Sequence, residues 1–220
     1  MNALEAVELY RFYHAGDDET FALRGVSLQL RQGELMAVTG PSGSGKSTLL
    51  ACLAGLDEPD GGHVELMGRR VTRRPEAERA ALRARHIGIL RQSRNLFEHL
   101  TVAGNIRLQL KLAGRPRDAR LDATLDLLGL RPLLDSRVGQ LSGGETARAG
   151  LAVALAADPI VLLADEPTAE VDATTAGGVL ALLARRRDEG RATLVVTHSR
   201  AVAESCDRIL RLRDGRIADA

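Results

Sequence analysis

Gly40-Pro41-Ser42-Gly43-Ser44-Gly45-Lys46-Ser47 fills every fixed position of the pattern G-x-x-x-x-G-K-[ST]. It also stands where that pattern has a structural meaning. The apolar run Glu34–Thr39 leads into it and reads as a strand, and Lys46–Leu53 leads out of it and reads as a helix closing near Gly55. Glycines let a backbone wrap closely round phosphates with its N–H groups turned inward, and the helix offers its positive end to the same anion. Lys46 is placed to reach outer phosphates, Ser47 to hold Mg²⁺, and Thr48 to follow on the same helix. A nucleoside triphosphate is the expected ligand, and the loop alone does not say which machine uses it.

The rest of the chain is read round that loop. Ile160–Ala164 is a continuous apolar run, as in a strand buried on both faces, and it ends in Asp165 and Glu166. Ligands bind at the C-terminal edge of a parallel sheet, so these acids and the loop can meet there. Asp165 would orient the metal through its hydration shell, and Glu166 would polarise a water in line with the terminal phosphate. Further strands are expected at Val26–Leu30, His63–Met67, Ile87–Leu90, Ala192–Thr197 and Ile209–Leu212. Helices are expected at Pro75–Arg85, Gly144–Ala156 and Ala173–Asp188, and a helical middle at Thr101–Leu134, broken at Gly114 and Gly129. Strands alternating with helices imply an α/β fold with a mostly parallel sheet, and the helix-only middle implies an insertion. Arg185-Arg186-Arg187 reads as a solvated helix end favoured by the dipole.

Composition excludes some classes. Lys+Arg of 30 against Asp+Glu of 29 gives no bulk attraction for nucleic acid, and with aromatics at 2% a base-stacking platform is not expected. Cys52 and Cys206 have no metal spacing and read as reduced packing residues of a cytosolic chain. No stretch approaches the roughly 18 apolar residues of a membrane span, and Met1–Tyr10 does not read as a signal peptide.

Leu141-Ser142-Gly143-Gly144-Glu145 resembles the LSGGQ signature of ATP-binding-cassette (ABC) ATPases, and it stands before a helix between the phosphate loop and the acidic pair. The other landmarks of that family follow in order. Gln92 resembles the Q-loop glutamine, which links metal and attacking water to the helical subdomain. Pro167–Asp172 resembles the D-loop, with Asp172 at the dimer interface. His198 resembles the switch histidine that contacts the terminal phosphate. Tyr13 resembles the aromatic on which adenine stacks, with Tyr10 as its rival.

The resemblance covers Val7 to Ile217 and implies a RecA-like P-loop NTPase core with an antiparallel β-subdomain, about 1–91 and 158–220, and an inserted helical subdomain, about 92–157. It implies a head-to-tail homodimer that forms with ATP, each nucleotide lying between one phosphate loop and Ser142, Gly143, Gly144 and Glu145 of the other copy. It implies catalysis by Glu166, His198 and Gln92, with Mg²⁺ held by Ser47, Gln92 and Asp165. It also implies an integral membrane permease on a separate polypeptide, at the cytoplasmic face of the membrane, and no nucleic-acid partner. Leu53-Ala54-Gly55-Leu56-Asp57 and Leu163–Thr168 are similar to the lipoprotein-release and macrolide-export branch, which includes a cell-division regulator.

Transport by a permease and mechanical regulation of a membrane partner both fit. A nucleic-acid or translation protein of the family would carry a second cassette or basic arms, and a non-hydrolysing module would not keep Glu166 and His198. Several positions depart from the branch: Thr146 and Ala147 replace two glutamines, Arg91 replaces an aromatic before Gln92, and Ala169, Glu170 and Val171 alter the D-loop. Leu96 and Phe97, beside Gln92, are the apolar residues expected to receive the membrane partner.

Overall fold

The computed structural model describes residues 1–15 and 18–218. The chain runs β1 (Asn2–Ala15), β2 (Asp18–Arg31), β3 (Leu35–Thr39), α1 (Lys46–Leu53), β4 (Gly61–Leu66), β5 (Arg69–Arg70), α2 (Glu76–His86) and β6 (Ile87–Leu90). It continues through α3 (Val102–Ala113), α4 (Ala119–Leu127), α5 (Gly143–Leu155), β7 (Val161–Asp165), α6 (Ala173–Asp188), β8 (Ala192–Val196), α7 (Arg200–Glu204), β9 (Arg208–Arg213) and β10 (Arg216–Ala218). Two sheets result. One is antiparallel in the order β2-β1-β4-β5; the other runs β10-β9-β3-β8-β7-β6 and is parallel from β9 to β6.

The parallel strands are continuous apolar runs because both faces are covered. Alternate side chains feed two cores. Met36, Val38, Val161, Leu163, Leu194 and Val196 face the core under the β1–β2 sheet. Leu35, Leu162, Ala164 and Val195 face the second core, with Leu125 of α4, Leu151 of α5 and Leu183 of α6. Between β6 and β7 the chain is helical, and local chemistry fixes the ends. Thr101 caps α3 through the Gly104 N–H at 3.0 Å, and Gly114, at φ 63°, closes it in the left-handed region.

Several elements were not read from sequence. The β1–β2 hairpin is far longer than Val26–Leu30, and β5, α7 and β10 had no forecast. Of the Arg185–Arg187 run only Arg185 is solvated as expected: Arg187 is half-buried, and Arg186 is 6% exposed, its guanidinium donating to the Pro159 carbonyl at 3.0 Å. Burial pulls its pKa down to about 10. Both cysteines are free, Cys52 buried and Cys206 half-buried, and burial pushes their thiols up to about 12 and about 11.

Candidate functional site

Strands β3, β8 and β7 are neighbours, so their C-terminal ends place three loops side by side. The glycine loop leaves β3. Gly45, at φ 101°, turns the chain into α1, and a Cβ there would stand 2.2 Å from the Ala22 carbonyl, so only glycine fits. Lys46 is 6% exposed, and its ammonium donates to the carbonyls of Gly40 and Pro41 at 2.8 and 2.7 Å. Burial lowers its pKa, while Asp165 and Glu166 pull the other way. Ser44 is buried beneath the loop; Pro41, Ser42, Gly43 and Ser47 are exposed, and Thr48 is half-buried on α1.

The two acids behave differently. Asp165 is held above the ordinary carboxylate range, chiefly by burial and then by Glu166, with Lys46, His198 and the Ser47 hydroxyl pulling it back. Glu166 has a left-handed backbone, φ 49°, which costs a non-glycine residue about 1–3 kcal/mol. Its surroundings hold it there. Its N–H donates to the Val196 carbonyl at 2.9 Å, and its carboxylate accepts from the His198 N–H at 2.6 Å and the Thr197 hydroxyl at 3.0 Å. Thr197, fully buried, escaped the sequence reading because a strand-end threonine carries no motif.

Ser47, Gln92 and Asp165 line one cavity of about 340 Å³, together with Leu56, Asp57 and Leu90. His198 and Gly40 line another, of about 550 Å³. Gln92 is exposed on the loop after β6, whose start is fixed by Asn95: its side-chain oxygen accepts from the Arg91 N–H at 2.8 Å, and its amide donates to the Arg91 carbonyl at 2.6 Å. Gly150 of α5 permits this, since a Cβ there would lie 2.9 Å from the Asn95 Cβ. Asn95 and Gly150 are thus positioning residues that no motif marked.

Ser142, Gly143, Gly144 and Glu145 line neither cavity. Ser142 caps α5 in a reciprocal box: its oxygen accepts from the Glu145 N–H at 3.3 Å, and the Glu145 carboxylate accepts from the Ser142 N–H and hydroxyl at 2.7 and 2.8 Å. These bonds hold Glu145 below the ordinary carboxylate range. A Cβ on Gly144 would stand 3.2 Å from the Glu170 carbonyl, so the segment before α6 packs on this turn. Asp172 caps α6, accepting from the Thr175 N–H at 3.0 Å and its hydroxyl at 2.6 Å.

Tyr13 and Tyr10 are both 40% exposed. The Tyr13 hydroxyl donates to Asp57 at 2.8 Å, and the Arg11 guanidinium lies 4.8 Å from its ring centre. Arg11 is itself fixed by a two-pronged bond to Asp57 at 2.8 and 3.0 Å. Tyr10 instead lies over Gly61 and Gly25.

Residues 23–169 match the family described as ABC transporter. An uncharacterized ABC transporter ATP-binding protein of Thermotoga maritima is 42% identical over 217 residues, covering 97% of this chain and 93% of the relative. The macrolide export ATP-binding/permease protein MacB of Chlorobium luteolum is 40% identical over 97% of this chain, but the chain spans only 32% of that relative's length. Among solved structures, the dimeric post-hydrolysis state of the ATP-binding cassette MJ0796, bound to ADP and Pi, superposes with a TM-score of 0.92 at 31% identity, covering 98% of this chain and 97% of that one.

Proposed function

The chain belongs to the ABC transporter ATP-binding family, and from that premise we propose that it is an ATPase subunit that hydrolyses ATP to ADP and phosphate and drives an integral membrane permease. The observation that carries this reading is the convergence of Lys46, Asp165, Glu166 and His198 at one edge of the parallel sheet, with the Glu166 carboxylate tied to β8.

Gly40–Thr48 wrap the phosphates, and Lys46 exchanges its carbonyl partners for phosphate oxygens, a stronger charge-assisted pairing. Glu166 accepts the proton of the attacking water, its carboxylate aimed by Thr197 and the His198 N–H. The His198 ring, exposed beside Gly40, contacts the terminal phosphate. Ser47, Asp165 and Gln92 suit Mg²⁺: all three offer oxygen donors to one cavity, and that ion takes few protein ligands besides water and phosphate. When bound, the metal would draw charge from the outer phosphates.

Ser142 caps α5 away from the glycine loop's cavities, which supports its use in trans, against the ATP of a second copy. Asp172, as the cap of α6 beside that turn, shapes the same dimer face. The post-hydrolysis cassette dimer is the precedent for such an assembly.

The permease seat we assign is an apolar groove of about 460 Å³ between α2, α3 and α5, lined by Ala80, Ala84, Phe97, Leu108, Leu112 and Val153. Phe97 and Leu112 are 56% and 60% exposed. Leu96 does not serve there as expected, because it packs half-buried on the core beneath. Asn95 lines the groove and also holds the backbone of Arg91, the residue before Gln92, so a segment seated there is linked to Gln92 through Asn95 and Arg91. Among the described residues no helix is long and apolar enough to cross a membrane, which fits attachment to the cytoplasmic face through a partner. Lys46→Ala should abolish ATP turnover in a phosphate-release assay; an unchanged rate would remove the nucleotide assignment.

A further inference from the structure

Helix α2 has two recesses. Ala80, Ala84 and Arg83 face the apolar groove, whereas Glu78, Leu82 and Arg85, on the neighbouring face, line a second recess of about 430 Å³. Ala81 lies between the two and touches both. The second recess is closed by Arg69 of β5, Arg74 and His86. Its charges do not balance. Glu78 is engaged by Arg74 at 3.1 Å, while Arg69 and Arg85, both exposed, have no carboxylate within ion-pair distance among the described residues. Arg115, exposed beyond the end of α3, adds its field to that of Arg69 and Arg85 at the half-buried ring of His86. Burial and these three cations hold His86 below its ordinary pKa.

Like charges gathered over a shared recess repel one another, so an anion placed among them gains from all of them at once. Planar guanidinium groups pair two-pronged with phosphate. The lining also has an apolar part, Ala81 and Leu82 of α2. A ligand that suits both is a phosphate joined to hydrocarbon. We propose that this recess binds the phosphate headgroup of an anionic phospholipid at the membrane surface. The choice of a membrane source rests on the permease reading of the adjoining groove; the anion site itself rests on the recess and its charges. Binding lipid here would hold α2, one wall of the groove, against the bilayer surface while the permease occupies the other face.

The purified chain is sedimented with vesicles of phosphatidylcholine alone and of phosphatidylcholine mixed with phosphatidylglycerol. Binding is expected only to the mixed vesicles, and it should weaken with salt. Each basic residue near an anionic leaflet contributes about fivefold, so combined Arg69→Gln, Arg85→Gln and Arg115→Gln should reduce partitioning by roughly 100-fold. Combined Arg31→Gln, Arg213→Gln and Arg216→Gln, at exposed positions elsewhere, should leave it unchanged. By NMR titration, the pKa of His86 should rise on adding mixed vesicles and stay fixed with phosphatidylcholine.

Equal sedimentation with both vesicle types, or an unaffected Arg69/Arg85/Arg115 variant, would overturn the proposal. So would a full His86 response to inorganic phosphate alone, which would make the ligand a free anion. Loss of RNA binding, rather than vesicle binding, in the triple variant would also overturn it. The Lys46→Ala assay needs no lipid, so failure of the ATPase reading and failure of this one are distinguishable.

Discussion

Arg11, Tyr13 and Asp57 form one unit: Arg11 grips Asp57 with two nitrogens, Tyr13 donates to the same carboxylate, and the guanidinium backs the Tyr13 ring. Such an anchored aromatic presents a fixed face, which suits it to stack on adenine. Tyr13→Ala should weaken ATP binding by roughly 1 kcal/mol or more, and Tyr13→Phe, which keeps the face but loses the Asp57 bond, by about 0.5–1 kcal/mol. Nucleotide titration calorimetry reads both, and a loss with Tyr10→Ala instead would transfer the role to Tyr10. At this scale sequence reading groups residues that adjoin in the chain. Lys46 and Ser47 adjoin at the start of α1, and Asp165 and Glu166 at one strand end. It failed where a role depends on a distant partner. Nothing near Thr197 announces Glu166, and nothing near Gly150 announces Asn95. Arg186 was misread because a charge run looks solvated until a carbonyl such as that of Pro159 is placed beside it.

At the scale of elements, the start of α5 carries a negative charge. Glu145 accepts a hydrogen bond from the Ser142 hydroxyl, and its carboxylate stands where the family signature has a neutral glutamine. Glu145→Gln retains the capping geometry but removes a negative charge from a face we assign to a partner's ATP. It should tighten ATP-dependent association, by an amount that shrinks with salt, and equilibrium sedimentation at two ionic strengths would measure it. Weaker or equal association would contradict this role.

Helix α2 carries a pH response. His86 has its folded pKa below the ordinary value of 6.5, because burial disfavours its charged form and Arg69 of β5, Arg85 of α2 and Arg115 after α3 add repulsion. The unfolded chain therefore takes up the proton first. Stability should fall as pH drops below about 6.5 and level off beneath the folded pKa. In urea melts between neutral and mildly acidic pH, His86→Gln should flatten that decline; an unchanged slope would exclude His86 as its source.

The elements themselves were legible where an apolar run ends in a motif, as in β3 and β7. Strand β1 was not, since its register shifts and its charged residues Glu5, Glu8 and Arg11 disguise the alternation.

For the molecule as a whole, the alternation of strands and helices forecast the parallel sheet, and the order β3-β8-β7 explains why three separate motifs share one edge. How the β1–β2 sheet covers that sheet's face was beyond local pattern, because its partners lie far apart in sequence, as Leu4 and Leu66 do. The signature turn is the other long-range question. Ser142 lies outside both cavities that Ser47, Gln92, Asp165 and His198 line, so under the proposed function a second copy must complete the site. Glu166→Gln keeps shape and hydrogen bonding but removes the base, so bound ATP should persist and the closed dimer should accumulate. Ser142→Arg, added to it, sets a bulky cation where a hydroxyl must meet the partner's ATP. Sedimentation velocity over a wide protein range, with and without ATP and Mg²⁺, reads both. An ATP-dependent dimer is expected for Glu166→Gln and a monomer for the doubly substituted chain; a Glu166→Gln chain that stays monomeric with ATP, or a double variant that still dimerises, would rule out the shared site.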